Sequence, residues 1–371
     1  MRILHVITTL DVGGAEMHLL QQVRGQCARG HGVRIAWLKG AGRLAADFEE
    51  AGAVAVGRVG PLALVGELRR AELVHSHLLK ADALTAVCAK LSGCAARLVS
   101  GKHNDERALL KPWVSRIHGV LGNVPLRTIA LSDHVRRFVE EHGRVKPERM
   151  RRVYYGIDAS PFEDASEQRA MHRAAVRAEF GFGADDIVFV CVARFAPQKA
   201  HDVLLEAFAR ARAAVAPELQ PRMLLVGDDP FGDGRERAEL WAKERELGED
   251  CVVFCGIRRD VPRLMAASDV FVMSSLWEGL GLVFIEAMAT GLPVLGSEVS
   301  AVPEVVTDGV TGVLVPPGDA AALAEGMERL IRDAELRARL STAGPGIVRE
   351  RFSLDRMVEE TLAIYEEVLA A

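Results

Sequence analysis

The chain has 371 residues, 49% hydrophobic and 26% charged, with aromatics at only 5%. That balance is the composition of a soluble globular protein of two or three domains, and it excludes a bilayer-spanning one, since no stretch approaches the roughly 20 apolar residues a span needs. The net charge of -5 hides an asymmetry: residues 1–157 hold 24 Lys and Arg against 14 Asp and Glu, a balance of +10, which leaves -15 for residues 158–371.

A basic first half points to an anionic partner such as a phosphate, an acidic lipid or an acidic glycan. Nucleic acid is disfavoured, because the cations are spread out and few aromatics lie among them. Cys27, Cys88, Cys94, Cys191, Cys251 and Cys255 show no disulfide rhythm and no His completes a zinc set, so a reducing compartment is expected. The first ten residues are too short and too polar for a signal peptide. The expectation is a cytoplasmic protein, or one peripheral on the inner face of the plasma membrane.

In chain order, apolar runs at residues 3–7, 33–38, 73–75, 97–100 and 128–131 read as buried strands, with helical patterns between them, as at 15–29 and 78–91. A second series follows at 187–193, 222–226, 252–254, 270–273, 293–296 and 312–315. Strand–helix alternation in two blocks predicts two parallel-sheet α/β domains. The break falls near residues 158–185, where Asp158-Ala159-Ser160-Pro161 leads into a charged helical stretch and then Gly181-Phe182-Gly183. Open α/β sheets bind ligands beyond the carboxyl ends of their strands, so a site is expected in a cleft between the domains. The last helix, near 354–369, can pack back on the first domain.

The strand-end loops carry the chemistry. Gly13 and Gly14 follow the first strand and permit close backbone approach, or simply make a tight turn; they do not form the G-x-G-x-x-G of a dinucleotide site. His75, His77 and His103 fall at strand ends. His103 could bond a sugar hydroxyl or a developing charge, whereas His75 fits a structural role better. Arg194 and Lys199 follow the first strand of the second block, as a diphosphate clamp or as surface charges. Glu278 and Glu286 bracket Gly279, Leu280, Gly281 and Leu282, a glycine-led loop entering a helix that stops at Gly291 and Pro293. A diphosphate would fit that helix N-terminus; a capping loop with a solvated Glu is the alternative.

Taken together, these pieces resemble the GT-B glycosyltransferases, specifically the retaining glycosyltransferase family 4. They come in the family's order: Gly13-Gly14, His103, Tyr155-Gly156-Ile157-Asp158, Arg194 with Lys199, Val226-Gly227-Asp228, and the E-x7-E block from Glu278 to Glu286. Val302-Pro303-Glu304 and Gly309-Val310-Thr311-Gly312 match as well. The resemblance covers nearly the whole chain and implies an α/β GT-B fold, two Rossmann-like parallel-sheet domains facing a central cleft. Residues 1–170 would bind the acceptor, 171–350 the nucleotide sugar, and 351–371 would form a C-terminal helix.

The resemblance also implies roles. Arg194 and Lys199 would neutralise the leaving diphosphate, in place of a metal ion. Glu278 would hold donor-sugar hydroxyls, the amides from Gly279 to Leu282 phosphate and sugar, and Glu286 the ribose. His103 would meet the donor sugar, Gly13 and Gly14 would border the diphosphate and acceptor, and Gly227 would belong to the nucleotide-sugar site. The donor would be a UDP-sugar and the acceptor a hydroxyl on a cell-envelope glycan, a glycolipid or a small molecule. UDP-sugar 2-epimerases share the fold but lack the glycine-led block, and a non-catalytic paralogue is disfavoured because Arg194, Lys199 and Glu278 are all present. Two departures stand out: Ser300-Ala301-Val302 where glycines are common, and the long loop Gly227-Asp228-Asp229-Pro230-Phe231-Gly232-Asp233-Gly234. Residues 102–118 set Lys102, Arg107, Lys111 and Arg116 beside Leu109, Leu110, Trp113, Val114 and Ile117. This is either a surface for an anionic membrane or an ordinary core-facing helix with a basic outer face.

Overall fold

The computed structural model describes residues 1–371 except Val12, Pro230 and Phe231. Val12 of the glycine loop and Pro230-Phe231 of the loop after Val226 therefore lie outside the described residues. Two compact units emerge, Met1–Ile157 with Phe352–Ala371, and Asp158–Arg351. Residues 158–170, expected with the first domain, pack with the second unit, and the chain's last segment packs with the first.

The first unit is built on seven parallel strands: β1 Arg2–Ile7, β2 Gly32–Trp37, β3 Val54–Arg58, β4 Leu73–His77, β5 Leu98–Lys102, β6 Arg127–Ala130 and β7 Met150–Arg152. Their order is β3-β2-β1-β4-β5-β6-β7. Strands covered on both faces read as apolar runs; β4 and β5 are buried along their whole length even though they carry His75, Ser76, His77, Ser100 and Lys102. Those polar side chains need internal partners: His77 finds them in His5 and His103, and His75 in Tyr365.

The helix Leu354–Ala370 closes this unit. Ser353 caps it, accepting from the Arg356 amide, and its apolar face packs on the helix Gly14–Ala28. Gly25 permits the close approach, since a Cβ there would lie 2.5 Å from Val358. Glu367 accepts from Arg127 at 2.6 Å and Arg151 at 2.7 Å, which ties the helix to β6 and β7.

The second unit holds six parallel strands: β8 Ile187–Val192, β9 Pro221–Val226, β10 Val252–Gly256, β11 Val270–Met273, β12 Val294–Ser297 and β13 Gly312–Val315. Their order is β10-β9-β8-β11-β12-β13. All four side chains of β11 are fully buried. Asp269, just before β11, accepts from the Val188 amide and from Arg173 and Arg177, locking β11 against β8 and the helix Arg169–Phe180. In each sheet the order reverses beside the strand that starts the unit, between β1 and β4 and between β8 and β11. Loops leaving such a pair diverge and leave a crevice at the strands' carboxyl ends.

Candidate active site

In the second unit the crevice lies between the loops that follow β8 and β11. Arg194 and Lys199 stand on the first, Glu278 to Gly281 on the second. The loops are stitched together: the Leu276 amide donates to the Gln198 carbonyl at 2.8 Å, Gln198 Nε2 donates to the Trp277 carbonyl at 2.7 Å, and Ser274 Oγ donates to the carbonyls of Lys199 and Ala200. This brings the Lys199 ammonium onto the Glu278 carboxylate as an ion pair, with side chains only 12% and 7% exposed. Ser275 Oγ donates to the same carboxylate oxygen at 2.7 Å. A desolvated pair of this kind holds only while the remaining hydrogen-bonding capacity is met, which is what Ser275 supplies. Arg194 is exposed, and its guanidinium has no ion-pair partner among the described residues.

Gly281 sits at φ 80° and begins the helix Leu282–Ala289 with no side chain capping its first turn. A side chain there would be strained, and its Cβ would lie 2.5 Å from the Phe284 ring. Leu280 is buried, so it serves the core as well as the loop. Glu286, one turn further on, is half-buried with no partner for its carboxylate among the described residues, and burial pushes that carboxyl up to about 7. A half-buried acceptor without a protein donor is placed to take one from a ligand hydroxyl. Gly227 follows β9, donating to the Gly256 carbonyl at 2.9 Å. A Cβ on Gly227 would collide with the Ala193 carbonyl, so the glycine lets β9 run close against the loop that carries Arg194.

In the first unit Gly13 begins the helix Gly14–Ala28. Glu16, in its first turn, is buried, lies against Gly13, and accepts from Thr9 Oγ at 2.6 Å. The carboxylate thus already occupies part of the space by this helix N-terminus. His103 follows β5; its Nε2 lies 2.9 Å from His77 Nδ1 and its Nδ1 meets the Tyr155 hydroxyl. His5, His75 and His77 bring nitrogens within 4.8 Å of one another, a spacing a metal ion could use. Here, however, His5 Nδ1 and His77 Nε2 are bonded to each other at 2.9 Å, and His75 Nδ1 to the Tyr365 hydroxyl at 2.6 Å.

The helix Pro112–Leu121 exposes Trp113 by 63%, Ile117 by 53% and Val120 by 66%. Trp113, Val114 and Ile117 join Leu79 and Leu121 around a cavity of about 360 Å³. Leu109 alone of the five apolar residues expected here is fully buried. Among the described residues no helix is long and apolar enough to cross a membrane.

Two family models match the chain, "Glycosyltransferase Family 4" over residues 12–160 and "Glycosyl transferases group 1" over residues 172–346. The chain belongs to the family 4 glycosyltransferases. This glycosyltransferase is 28% identical over 311 residues to N-acetyl-alpha-D-glucosaminyl L-malate synthase of Bacillus anthracis, covering 83% of its own length and 78% of the relative's. It is 37% identical over 233 residues to D-inositol 3-phosphate glycosyltransferase of Saccharomonospora viridis, covering 61% of its own length and 52% of the relative's, so it spans about half of that protein. HepE of Anabaena, solved in complex with UDP, shares the fold with a TM-score of 0.86 at 24% identity, over 98% of this chain and 100% of that one.

In the glycosyltransferase, Lys199, Glu278 and the 279–282 loop are thus assembled at one crevice, and Glu286 stands on the helix behind it. Sequence reasoning missed Ser275, which holds the Glu278 carboxylate, and Gln198, which joins the two loops. Both are uncharged polar residues with no spacing of their own to reveal them. It also missed His5, Gln26 and Tyr365, whose partners lie far along the chain.

Proposed function

We propose that this glycosyltransferase moves a sugar from a nucleoside diphosphate sugar, with uridine as the base, to a hydroxyl acceptor, and does so with retention. The observation that carries the reading is the crevice at the β8/β11 reversal. One loop brings Arg194 and Lys199, the other Glu278, which pairs with Lys199, and an uncapped helix N-terminus, and behind it stands a half-buried carboxyl at Glu286. In that reading the bond between the anomeric carbon and the diphosphate breaks, and a new bond to the acceptor oxygen forms on the same face. The leaving phosphate takes the acceptor's proton. Arg194 and Lys199 stabilise the charge that develops, work a metal ion does elsewhere. Glu278 holds sugar hydroxyls, the 279–282 amides hold phosphate, and Glu286 accepts from the ribose. HepE, solved also with UDP-glucose, supports uridine as the base.

For the acceptor, a cell-envelope glycan or glycolipid is one class. A small hydroxylated anion is the second, and the names of the relatives favour it, since malate and inositol 3-phosphate are both of that kind. The basic balance of residues 1–157 suits either an anionic acceptor or an anionic inner membrane face, where exposed Trp113, Ile117 and Val120 would rest. Screening UDP-, GDP- and ADP-sugars for thermal stabilisation tests the donor. At a hundredfold excess over Kd a ligand adds about 2.7 kcal/mol, enough to raise Tm by several degrees. No shift with any nucleotide sugar would sink the reading.

A further inference from the structure

Five side chains of the first unit form one hydrogen-bonded row. Gln26 Oε1 lies 2.9 Å from His5 Nε2, His5 Nδ1 lies 2.9 Å from His77 Nε2, His77 Nδ1 lies 2.9 Å from His103 Nε2, and His103 Nδ1 meets the Tyr155 hydroxyl. Burial lowers His5 to about 4 and His103 to about 3, and lowers His77 too, so near pH 7 each ring carries a single N–H. A neutral imidazole donates through one nitrogen and accepts through the other, so every N–H in the row points the same way.

Two directions satisfy the row, set by which way the Gln26 amide faces. The neighbouring Tyr365 hydroxyl decides between them. It lies 2.6 Å from His75 Nδ1, 3.1 Å from Gln22 Nε2 and 3.4 Å from Gln26 Nε2. The shortest of these suits an O–H donor and the longest a weak amide donor. Tyr365 therefore gives its one proton to His75 and accepts from both amides, which turns Gln26 Oε1 toward His5. A carbonyl oxygen only accepts, so His5 donates from Nε2. His77 then donates from Nε2 to His5, and His103 from Nε2 to His77.

We propose that Gln26 is a positioning residue: through His5 and His77 it fixes His103 in the Nε2–H tautomer. The ring then offers Nδ1 as an acceptor to a hydroxyl of the bound sugar, in exchange for Tyr155. The proposal rests on the reading that His103 meets the donor sugar. It makes His103 a recogniser of hydroxyl protons, and neither an acid nor a donor to developing negative charge.

The test is a long-range proton–nitrogen correlation spectrum of the full chain with ¹⁵N-labelled histidine at pH 7, with the His103 ring assigned by its loss in His103→Phe. Nε2–H on His103, His77 and His5 is expected, and Nδ1–H on His103 overturns the proposal. Gln26→Leu should mix the tautomers and raise the donor KM roughly three- to tenfold, the scale of one weakened hydrogen bond, with kcat little changed. Gln26→Glu keeps an acceptor and should restore both. An unchanged His103 tautomer in Gln26→Leu also overturns the proposal. If that variant does not fold, the wild-type and Gln26→Glu spectra decide. Undiminished donor affinity in His103→Phe would remove the reading of His103 beneath the proposal while leaving the tautomer result standing.

Discussion

Lys199 shows how one side chain can serve the fold and the proposed chemistry together. Its ammonium pairs with the buried Glu278 carboxylate, so removing it leaves a desolvated charge that has lost its counter-ion and keeps the Ser275 hydroxyl. Lys199→Met should lower kcat on the order of 10²–10³-fold, as loss of a charge-stabilising donor does, and should destabilise the protein by about 3–5 kcal/mol. Adding Glu278→Gln should recover most of the stability and none of the turnover, as read by denaturant titration beside the transfer assay. Glu286 makes a separate prediction. Its folded-state value of about 7 lies above the ordinary 4.5, so the folded protein holds that proton more tightly than the unfolded chain. The stabilisation is complete below about pH 4.5 and is lost as pH rises through 7. Glu286→Gln should flatten this slope and stabilise the ligand-free protein at pH 8 by no more than about 3 kcal/mol. If the carboxylate accepts ribose hydroxyls, wild-type donor affinity should rise across the same interval and that of the variant should not.

Among the elements, the turn into the helix Leu282–Ala289 is the most constrained. Gly281→Ala must place a side chain at positive φ against Phe284, at a cost of about 1–2 kcal/mol from the backbone alone. It should weaken nucleotide binding more than it lowers Tm, because the loop that moves carries the proposed phosphate amides. The elements around this turn were legible in sequence because β8, β11 and β12 are continuous apolar runs with glycines where they turn. All six strands of the second unit were read this way. In the first unit β3 and β7 were not, and both are sheet edges: β3 contains Gly57 at φ 100°, and β7 has three residues, two of them arginine. β3 has no fully buried residue and β7 has one, whereas β10 and β13, the edges of the second sheet, keep readable apolar runs. At the site, Glu278 stood out beside Gly279, Glu286 by its spacing from Glu278, and Arg194 and Lys199 by their place at and just after the end of β8. The histidine row was only half visible. His75 was read as fitting a structural role better than His103, and it lies buried against Tyr365, a partner 290 residues away; His5 and Gln26 lie on elements with no such signal. No local pattern encodes a partner at that distance.

Over the whole molecule, charge is partitioned with function in the proposed reading. Residues 1–157 carry +10, but the terminal helix returns to their unit with one Arg and five acidic residues between 352 and 371. Part of that acidity is spent on Arg29, Arg127 and Arg151. Lys111 and Arg116 stay exposed beside Trp113 and Ile117. If this face rests on an anionic membrane, the full chain should co-sediment with vesicles rich in acidic lipid and release with salt, and Trp113→Ser with Lys111→Glu should weaken the binding at least severalfold. Equal binding to neutral vesicles would contradict an electrostatic contact.

The central claim is that the β8/β11 crevice holds a nucleoside diphosphate, and calorimetric titration of UDP into the full chain and its variants tests it most directly. Binding with one site per chain is predicted, weakened about tenfold or more by Lys199→Met and by Glu286→Gln at pH 8, the scale of one lost charge-assisted hydrogen bond. Affinity left unchanged in both variants, or no heat of binding at millimolar UDP, would contradict it.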